Sequence, residues 1–174
     1  GQPINQEMKA YLSQSTSDAE REQRRAIYQS LLADTNYQNI RFNPQNGGLM
    51  ATHIDHCFNI TNGQYKKEVQ KIAFEEGHSV ILTSEKGKQD GQKYVDGLWD
   101  GMTFEVGTSL GVGKNNIKGI LKHCQSKNAE IAVIYFPDKN LFSMERLIKG
   151  ILQYEGQTDY CFAHIIYIVE EKCY

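Results

Sequence analysis

The chain has 174 residues, of which 40% are hydrophobic and 23% are charged, and its formal net charge is −2. This composition is typical of a globular protein, and the net charge excludes attraction to nucleic acid by overall charge, so a nucleic-acid binder would need a local basic surface. No apolar run is long enough to span a membrane and no signal-peptide pattern is present, so we expect a cytoplasmic site of action. The four cysteines form no CxxC pair, which favours free thiols in a reducing compartment.

Residues 1–64 are predicted to form an N-terminal extension made of a helix and a short hairpin. The first 16 residues are polar and aperiodic, which indicates a loose arm or a short helix around residues 6–12. Ser17-Asp18-Ala19-Glu20 is a capping-box pattern, which predicts a helix from there to about residue 33. Three basic residues in its first half favour a solvated face over a nucleic-acid contact: Arg21, Arg24 and Arg25.

Two short strand candidates follow the helix, at residues 40–42 and 49–52, and the glycine-containing loop between them predicts a hairpin. His53 and His56 come directly after it. Together with the neighbouring Asp55 and Cys57 they offer ligand types for Zn²⁺, and a pair of histidines also suits metal-free acid–base cleavage of RNA. Structural or surface histidines are favoured over both uses, and the alternatives stay open.

Residues 65–174 are predicted to form one α/β domain, because buried apolar runs alternate with amphipathic helices. A helix is expected over residues 63–76, another carries the apolar spacing Ile117, Ile120, Leu121 and Cys124, and Ser143 caps a third. Strands are expected at residues 78–83, 94–99, 102–106, 131–136 and 160–169. This order indicates a mixed central sheet flanked by helices on both faces.

The stretch from Val95 to Gly107 combines two Asp-Gly turns with a short strand. Asp-Gly is a hairpin signal in its own right. Glu105 lies between Phe104 and Val106, so its carboxylate needs either an exposed strand face or a partner. If Asp96 at the first turn converges with Glu105, the two carboxylates form a candidate site for a divalent cation.

Three acidic residues fall in order on a helix, at a turn and on a strand: Glu68, Asp96 and Glu105. They lie within the motifs Glu68-Val69-x-x-Ile72-Ala73, Gly77-x-x-Val80-Ile81-Leu82, Asp96-Gly97-Leu98-x-Asp100-Gly101-x-x-x-Glu105-Val106 and Asn116-Ile117. This arrangement resembles the PD-(D/E)XK nuclease superfamily. Over about residues 65–169 the chain looks most similar to the C-terminal tRNA-nuclease domains of contact-dependent growth-inhibition toxins.

The resemblance implies a restriction-endonuclease-like fold and a metal-dependent endonuclease that hydrolyses phosphodiester bonds in tRNA or DNA. Glu68, Asp96 and Glu105 would hold Mg²⁺ or Mn²⁺, and an immunity protein would be a partner. The family's lysine, two residues after the strand Glu, falls on Gly107. Lys114 is the candidate for the missing charged donor, whose loss typically costs about 10²–10³ in rate. The alternative is a catalytically inactive nuclease fold that acts as a nucleic-acid-binding or interaction module.

A basic groove with aromatic side chains is the expected nucleic-acid surface. Tyr94 and Trp99 would supply the rings, and the lysines would be Lys86, Lys88, Lys93, Lys114, Lys118 and Lys122. Residues 107–114 do not match a P-loop, which excludes an NTPase of that type, but their glycines suit backbone contact with a phosphate.

Overall fold

The computed structural model describes residues 16–86 and 93–174. The short helix expected around residues 6–12 and the groove lysine Lys88 lie outside the described residues. The chain divides into two compact units, one from Ser15 to Thr103 and one that contains Phe104–Tyr174. We call them the Asp96 unit and the Glu105 unit. Each contains helices and paired strands, so the predicted mixed α/β class is confirmed, whereas the restriction-endonuclease-like arrangement stays a prediction.

The Asp96 unit places its helices and strands in the predicted order. They are α1 (Asp18–Leu32), β1 (Tyr37–Phe42), β2 (Leu49–His53), α2 (Gly63–Glu75), β3 (Ser79–Leu82) and β4 (Gly97–Trp99), followed by the start of β5 (Met102–Thr108). The predicted hairpin is confirmed, because β1 and β2 pair antiparallel. Strand β2 then pairs parallel with β3, and β3 pairs antiparallel with β4. The domain boundary predicted after residue 64 stays a prediction, although β2 and β3 from its two sides belong to one unit.

Helix α1 begins with the predicted capping box, in which both reciprocal hydrogen bonds between Ser17 and Glu20 are present. The predicted solvated arginine is wrong for Arg24. Its side chain is only 13% exposed and its Nη2 lies 3.0 Å from Asp100 Oδ1. It also donates to the carbonyl oxygens of Gly47 and Gly77. Arg24 therefore ties α1 to the β4–β5 turn.

The Glu105 unit begins within β5 and continues with helices and strands that alternate. They are α3 (Asn116–Ser126), β6 (Ile131–Phe136), a 3-10 helix (Lys139–Leu141), α4 (Met144–Glu155), β7 (His164–Val169) and β8 (Lys172–Cys173). Strand β6 pairs parallel with β5 and β7, and β8 pairs antiparallel with β7. All six residues of β6 are buried, as expected of a strand that is covered on both faces. The predicted apolar stripe of α3 is confirmed in the core with Leu147 and Ile151 of α4.

All four cysteines have free thiols, as predicted. Among the helices of the described chain, none combines the length and the apolar character that crossing a membrane requires.

Candidate functional site

The carboxylate of Asp96 is buried in the Asp96 unit and lies beside an ammonium group. Asp96 is 2% exposed and precedes β4 in the chain. Its Oδ1 lies 2.9 Å from Nζ of Lys66, which also lies 3.4 Å from Oε1 of Glu85. The backbone N–H of Thr83 donates to the Asp96 carbonyl at 3.2 Å. The turn that carries Asp96 is therefore fixed against the end of β3.

His56 lies in the same place, with its imidazole in a defined tautomer. Its Nδ1 is 2.8 Å from the carbonyl oxygen of Thr83. Because a carbonyl oxygen only accepts, Nδ1 carries the hydrogen and Nε2 is left as an acceptor, 3.5 Å from Lys66 Nζ. Burial lowers the pKa of His56, the Thr83 hydrogen bond raises it, Lys66 lowers it, and Glu85 and Asp96 raise it, so that the net shift is downward. The imidazole is therefore neutral at neutral pH.

Backbone hydrogen bonds hold Glu85 against the loop that carries His56. The Cys57 N–H donates to Glu85 Oε2 at 3.2 Å, and the Glu85 N–H donates to the Asp55 carbonyl at 3.2 Å. Ligand atoms of His56, Glu85 and Asp96 all lie within 4.8 Å of one another. We call these three residues and Lys66 the Asp96 cluster.

Helix α2 delivers Lys66 to this cluster because of its position in the first turn. Lys66, Val69, Gln70 and Ala73 follow the helical spacing of one face, and the last three are buried. Gln70 donates to the carbonyl oxygens of Ala51 and Val80, which anchors α2 on β2 and β3. Lys66 is therefore held with its stem along a buried face and its ammonium group among the carboxylates.

The donor atoms of His56, Glu85 and Asp96 could hold a metal ion. They combine two carboxylates with an imidazole whose Nδ1–H is held by a backbone carbonyl, which is the usual orienting contact for a histidine ligand. Carboxylates suit Mg²⁺ and Mn²⁺, and the imidazole favours Mn²⁺ of the two. The ammonium of Lys66 supplies positive charge at the same place.

The residues predicted from the resemblance lie in three different settings. Glu68 is a half-buried residue of α2 and is not a member of the group formed by His56, Glu85 and Asp96. Lys114 is exposed in the loop before α3, in the Glu105 unit. Asp96 is the predicted metal ligand that the structure places in a group of potential ligands.

Glu105 has the partner that its burial requires. The residue is 4% exposed, and its Oε2 lies 2.8 Å from Nε2 of His123 on α3. The side chain of His123 is 49% exposed, so this pair reaches the surface of the Glu105 unit. The sequence predicted that Glu105 needs either an exposed strand face or a partner, and His123 is that partner.

Gly107, where the resemblance places a lysine, is packed against α3. A Cβ atom added there would lie 2.2 Å from Cγ2 of Ile120. Glu105 and Gly107 share one face of β5 because they are two residues apart, and α3 covers that face with Ile120 and His123. The close approach of strand and helix therefore favours glycine, and any side chain placed there would have to displace Ile120.

The predictions for His53, His56 and Trp99 have different outcomes. His53 is structural, as favoured, because its Nδ1 accepts from the Asp55 N–H at 3.0 Å and its ring packs edge-on against Tyr37. For His56 it stays a prediction, because this buried residue is held by the Thr83 carbonyl oxygen and also lies with Glu85 and Asp96 in a group that could hold a metal ion. A groove role is wrong for Trp99, which is fully buried with its ring centroid 5.2 Å from that of His78.

Sequence reasoning missed Lys66 and Glu85. The helical spacing of Lys66 to buried residues of α2 is a usable signal, since a lysine on an inward face needs a counter-charge. Glu85 carries no such signal, because it lies in a charged loop where a solvated carboxylate is the ordinary case.

Comparisons of the chain with protein-family models, with curated proteins and with solved structures give no match. The resemblance to PD-(D/E)XK nucleases therefore rests on the sequence motifs.

Proposed function

We propose that the protein is a metal-dependent endonuclease that hydrolyses phosphodiester bonds in nucleic acid, with the Asp96 cluster as its catalytic centre. The observation that carries the proposal is the meeting of Asp96 with a second carboxylate, a neutral imidazole and an ammonium group. A buried group of this kind, with the pKa of an imidazole lowered by burial, is a candidate functional site. The nature of the substrate, tRNA or DNA, and an immunity protein as partner follow from the resemblance to toxin domains.

In this proposal Asp96, Glu85 and Nε2 of His56 would hold Mn²⁺ or Mg²⁺. A bound divalent ion polarises a phosphoryl oxygen and lowers the pKa of a water molecule. Lys66 takes the part that the resemblance assigns to a lysine at Gly107, because its ammonium is already oriented by Asp96 and Glu85. Positioned donors of this kind stabilise charge that develops on the phosphate.

A second candidate is a metal-free ribonuclease built on the same residues. The observation that favours it is that Lys66 lies within 3.5 Å of Asp96, Glu85 and His56, so one of the two carboxylate charges is balanced without a metal ion. Neutral His56 would then accept the proton of the attacking 2′-hydroxyl group and Lys66 would stabilise the charged phosphate. The bond to the 5′-oxygen would break as the 2′,3′-cyclic phosphate forms, and the 5′-oxygen would leave with a proton.

The alternative of a binding module without catalysis draws on Gly107, whose environment disfavours the family's lysine. Under this alternative the Asp96 cluster would hold the fold together and the protein would bind nucleic acid or a partner without cutting it.

Cleavage assays on labelled RNA and DNA with Mn²⁺, with Mg²⁺ and with EDTA separate these functions. We expect metal-dependent cleavage, with Mn²⁺ the better ion, and a loss of at least about 10² in rate for Asp96→Asn and Glu85→Gln. Glu155→Gln, an exposed carboxylate of α4, is the charge-matched control. Cleavage that persists in EDTA and is lost in Lys66→Met would establish the metal-free candidate instead. Tight binding without cleavage under every condition would establish the binding module.

Glu105→Gln tests the resemblance in the same assay. Loss of cleavage would add the strand carboxylate to the catalytic centre, as the family pattern implies. Retained cleavage would remove Glu105 from the site and leave it as the partner of His123.

A further inference from the structure

A concave site lies in the Asp96 unit, where β1 and β2 meet α2. Its volume is about 390 Å³, which is within the usual range for ligand pockets and larger than a phosphate ion needs. The described residues that line it include three cations, Arg41, Lys67 and Lys71, and no carboxylate. We call it the β1–α2 pocket. Its charge selects an anionic ligand.

A β-bulge builds the strand side of this pocket. The register between β1 and β2 shifts between Gln38 and Arg41, and Asn39 inside the bulge has a φ of 54°. In a regular strand, residues three apart point to opposite faces, but the bulge lets both Gln38 and Arg41 line the pocket. A side chain that a bulge re-aims into a pocket indicates a built site, because bulges often serve this purpose.

Helix α2 builds the other side. Lys67 and Lys71 are one turn apart and both line the pocket, together with buried Gln70. Their Nζ groups are accessible to a ligand, because both residues are exposed and Lys71 has only a long contact of 3.9 Å to the exposed carboxylate of Glu75. Such exposed pairs contribute little and give way to a better anion.

Aromatic rings connect the pocket to the Asp96 cluster. Phe58 lines the pocket, and its ring lies 4.7 Å from Nζ of Lys67. The same ring packs edge-on against His56 with centroids 4.9 Å apart. Lys66 and Lys67 are consecutive residues of α2, so one contacts the cluster and the other lines the pocket. Phe58 therefore contacts both Lys67 of the pocket and His56 of the cluster.

We propose that the β1–α2 pocket binds the sugar–phosphate backbone of a nucleic-acid strand, through Arg41, Lys67 and Lys71, on its way to the Asp96 cluster. This proposal rests on the proposed function for its substrate class. It explains how a chain with a net charge of −2 can bind a polyanion, since the three cations concentrate positive charge at one concave place. A free phosphate or a nucleotide shares the same chemistry and is the competing ligand.

The test uses fluorescence anisotropy of labelled single-stranded RNA and DNA in EDTA, so that cleavage does not interfere. The variant is Arg41→Gln/Lys67→Gln/Lys71→Gln. Its control is Lys139→Gln/Lys149→Gln/Lys172→Gln, which removes three exposed lysines of the Glu105 unit. We expect the pocket variant to bind at least about tenfold more weakly at about 0.1 M salt, with the slope of log K against log salt reduced by about 2. The control should retain the wild-type slope, and thermal unfolding should show both variants folded.

Competition with inorganic phosphate and with a mononucleotide identifies the ligand. The proposal requires the oligonucleotide to bind at least about 100-fold more tightly than either, because several phosphates are contacted at once. Equal competition by a mononucleotide, or equal salt slopes for the pocket and control variants, would overturn it. Pocket-dependent binding without cleavage would sink the proposed function and leave the pocket standing. A pocket variant that cleaves as fast as the wild type would overturn the pocket proposal and leave the proposed function standing.

Discussion

Asp96 and Glu105 come from one short stretch of sequence, and the two units give these buried carboxylates different surroundings. Asp96 meets Lys66 from α2, and its carboxylate lies within 4.8 Å of potential ligand atoms of His56 and Glu85 from two loops. Glu105 meets His123 from α3 at a half-exposed position, beside a strand face that Ile120 fills. A carboxylate within an apolar pattern thus predicts a partner, whereas a reactive site also needs functional groups from other elements.

The two helices account for much of this difference. Helix α2 turns an ammonium and an amide side chain, Lys66 and Gln70, toward its unit's interior. Helix α3 turns an apolar stripe inward and leaves His123 at its edge. The first arrangement surrounds potential metal ligands with a cation, and the second mainly packs. Variants in the Asp96 cluster and variants in the Glu105 unit should therefore lose different properties.

Asp96→Asn should have the largest effect. It leaves the ammonium of Lys66, which is 15% exposed, without its nearest counter-charge. Breaking a buried pair usually costs about 3–5 kcal/mol in the free energy of unfolding, and Glu85 at 3.4 Å keeps the loss near the lower end. Cleavage should fall by at least about 10². Urea unfolding and cleavage rates measure the two effects.

The double variant Asp96→Asn/Lys66→Met separates stability from activity. Since it removes both charges, it should recover much of the free energy of unfolding that the single change costs, while cleavage stays lost. Recovery of both properties would show that the pair is only structural, and the comparison with Glu105 would lose its basis.

Asp100→Asn should come next, at a carboxylate that holds Ser79, Arg24 and His78 together. Asp100 accepts from the Ser79 N–H, pairs with Arg24, and lies 2.8 Å from His78 Nδ1. Burial raises its pKa, but the hydrogen bonds of His78 and Ser79 and the charges of His78 and Arg24 outweigh burial and hold the pKa below its usual value. Asn tolerates the φ of 50° at this turn, so the change isolates the charge.

The pH dependence of unfolding measures the role of Asp100. A carboxylate with a lowered folded-state pKa stabilises above its unfolded-state pKa of about 3.9, and this stabilisation disappears as the pH falls through the folded-state pKa. Asp100→Asn should cost about 1.5–3 kcal/mol at pH 7 and flatten the acid limb of the stability curve. Cleavage should change far less than in Asp96→Asn. An unchanged acid limb would contradict the lowered folded-state pKa of Asp100.

Gly107→Ala should have a smaller effect, and it has a matched control on α3. The new methyl group would meet Ile120, so overpacking should cost about 1–3 kcal/mol. Gly119 on α3 has open space around its missing Cβ, so Gly119→Ala should stabilise by about 0.5–1 kcal/mol. Differential scanning calorimetry distinguishes a lowered melting temperature in Gly107→Ala from a raised one in Gly119→Ala. A stable Gly107→Lys protein with faster cleavage would instead show that the family's lysine position is usable.

The local parts of the structure could be predicted from sequence, because their causes lie within a few residues. The capping box at Ser17 and the Asp100-Gly101 turn, whose φ values of 50° and 86° suit a two-residue hairpin, are of this kind. The pairs that decide the chemistry join distant residues. Arg24 and Asp100 are 76 positions apart, and no periodicity relates them.

The candidate site could be predicted only in part for the same reason. Asp96 stands out because it lies at a turn beside an apolar strand. Lys66 and Glu85 join it through the packing of α2 and of the loop after β3, which a single sequence does not specify. The occupied space at Gly107 is likewise a property of α3 and β5 together. The resemblance therefore indicated a carboxylate but not the groups that surround it.

The titration of His56 should show the smallest effects, and their signs test the arrangement of the Asp96 cluster. Burial is the largest cause of its lowered pKa, and Lys66 lowers it further while Glu85 and Asp96 raise it. Lys66→Met should therefore move the midpoint upward, and Glu85→Gln should move it downward. NMR titration of the imidazole resonances measures both, with the exposed Lys149→Met as a control that leaves the midpoint in place. Shifts of the same sign in the two variants would mean that a rearrangement of the loop, and not charge, controls His56, because opposite charges at similar distances must act in opposite directions.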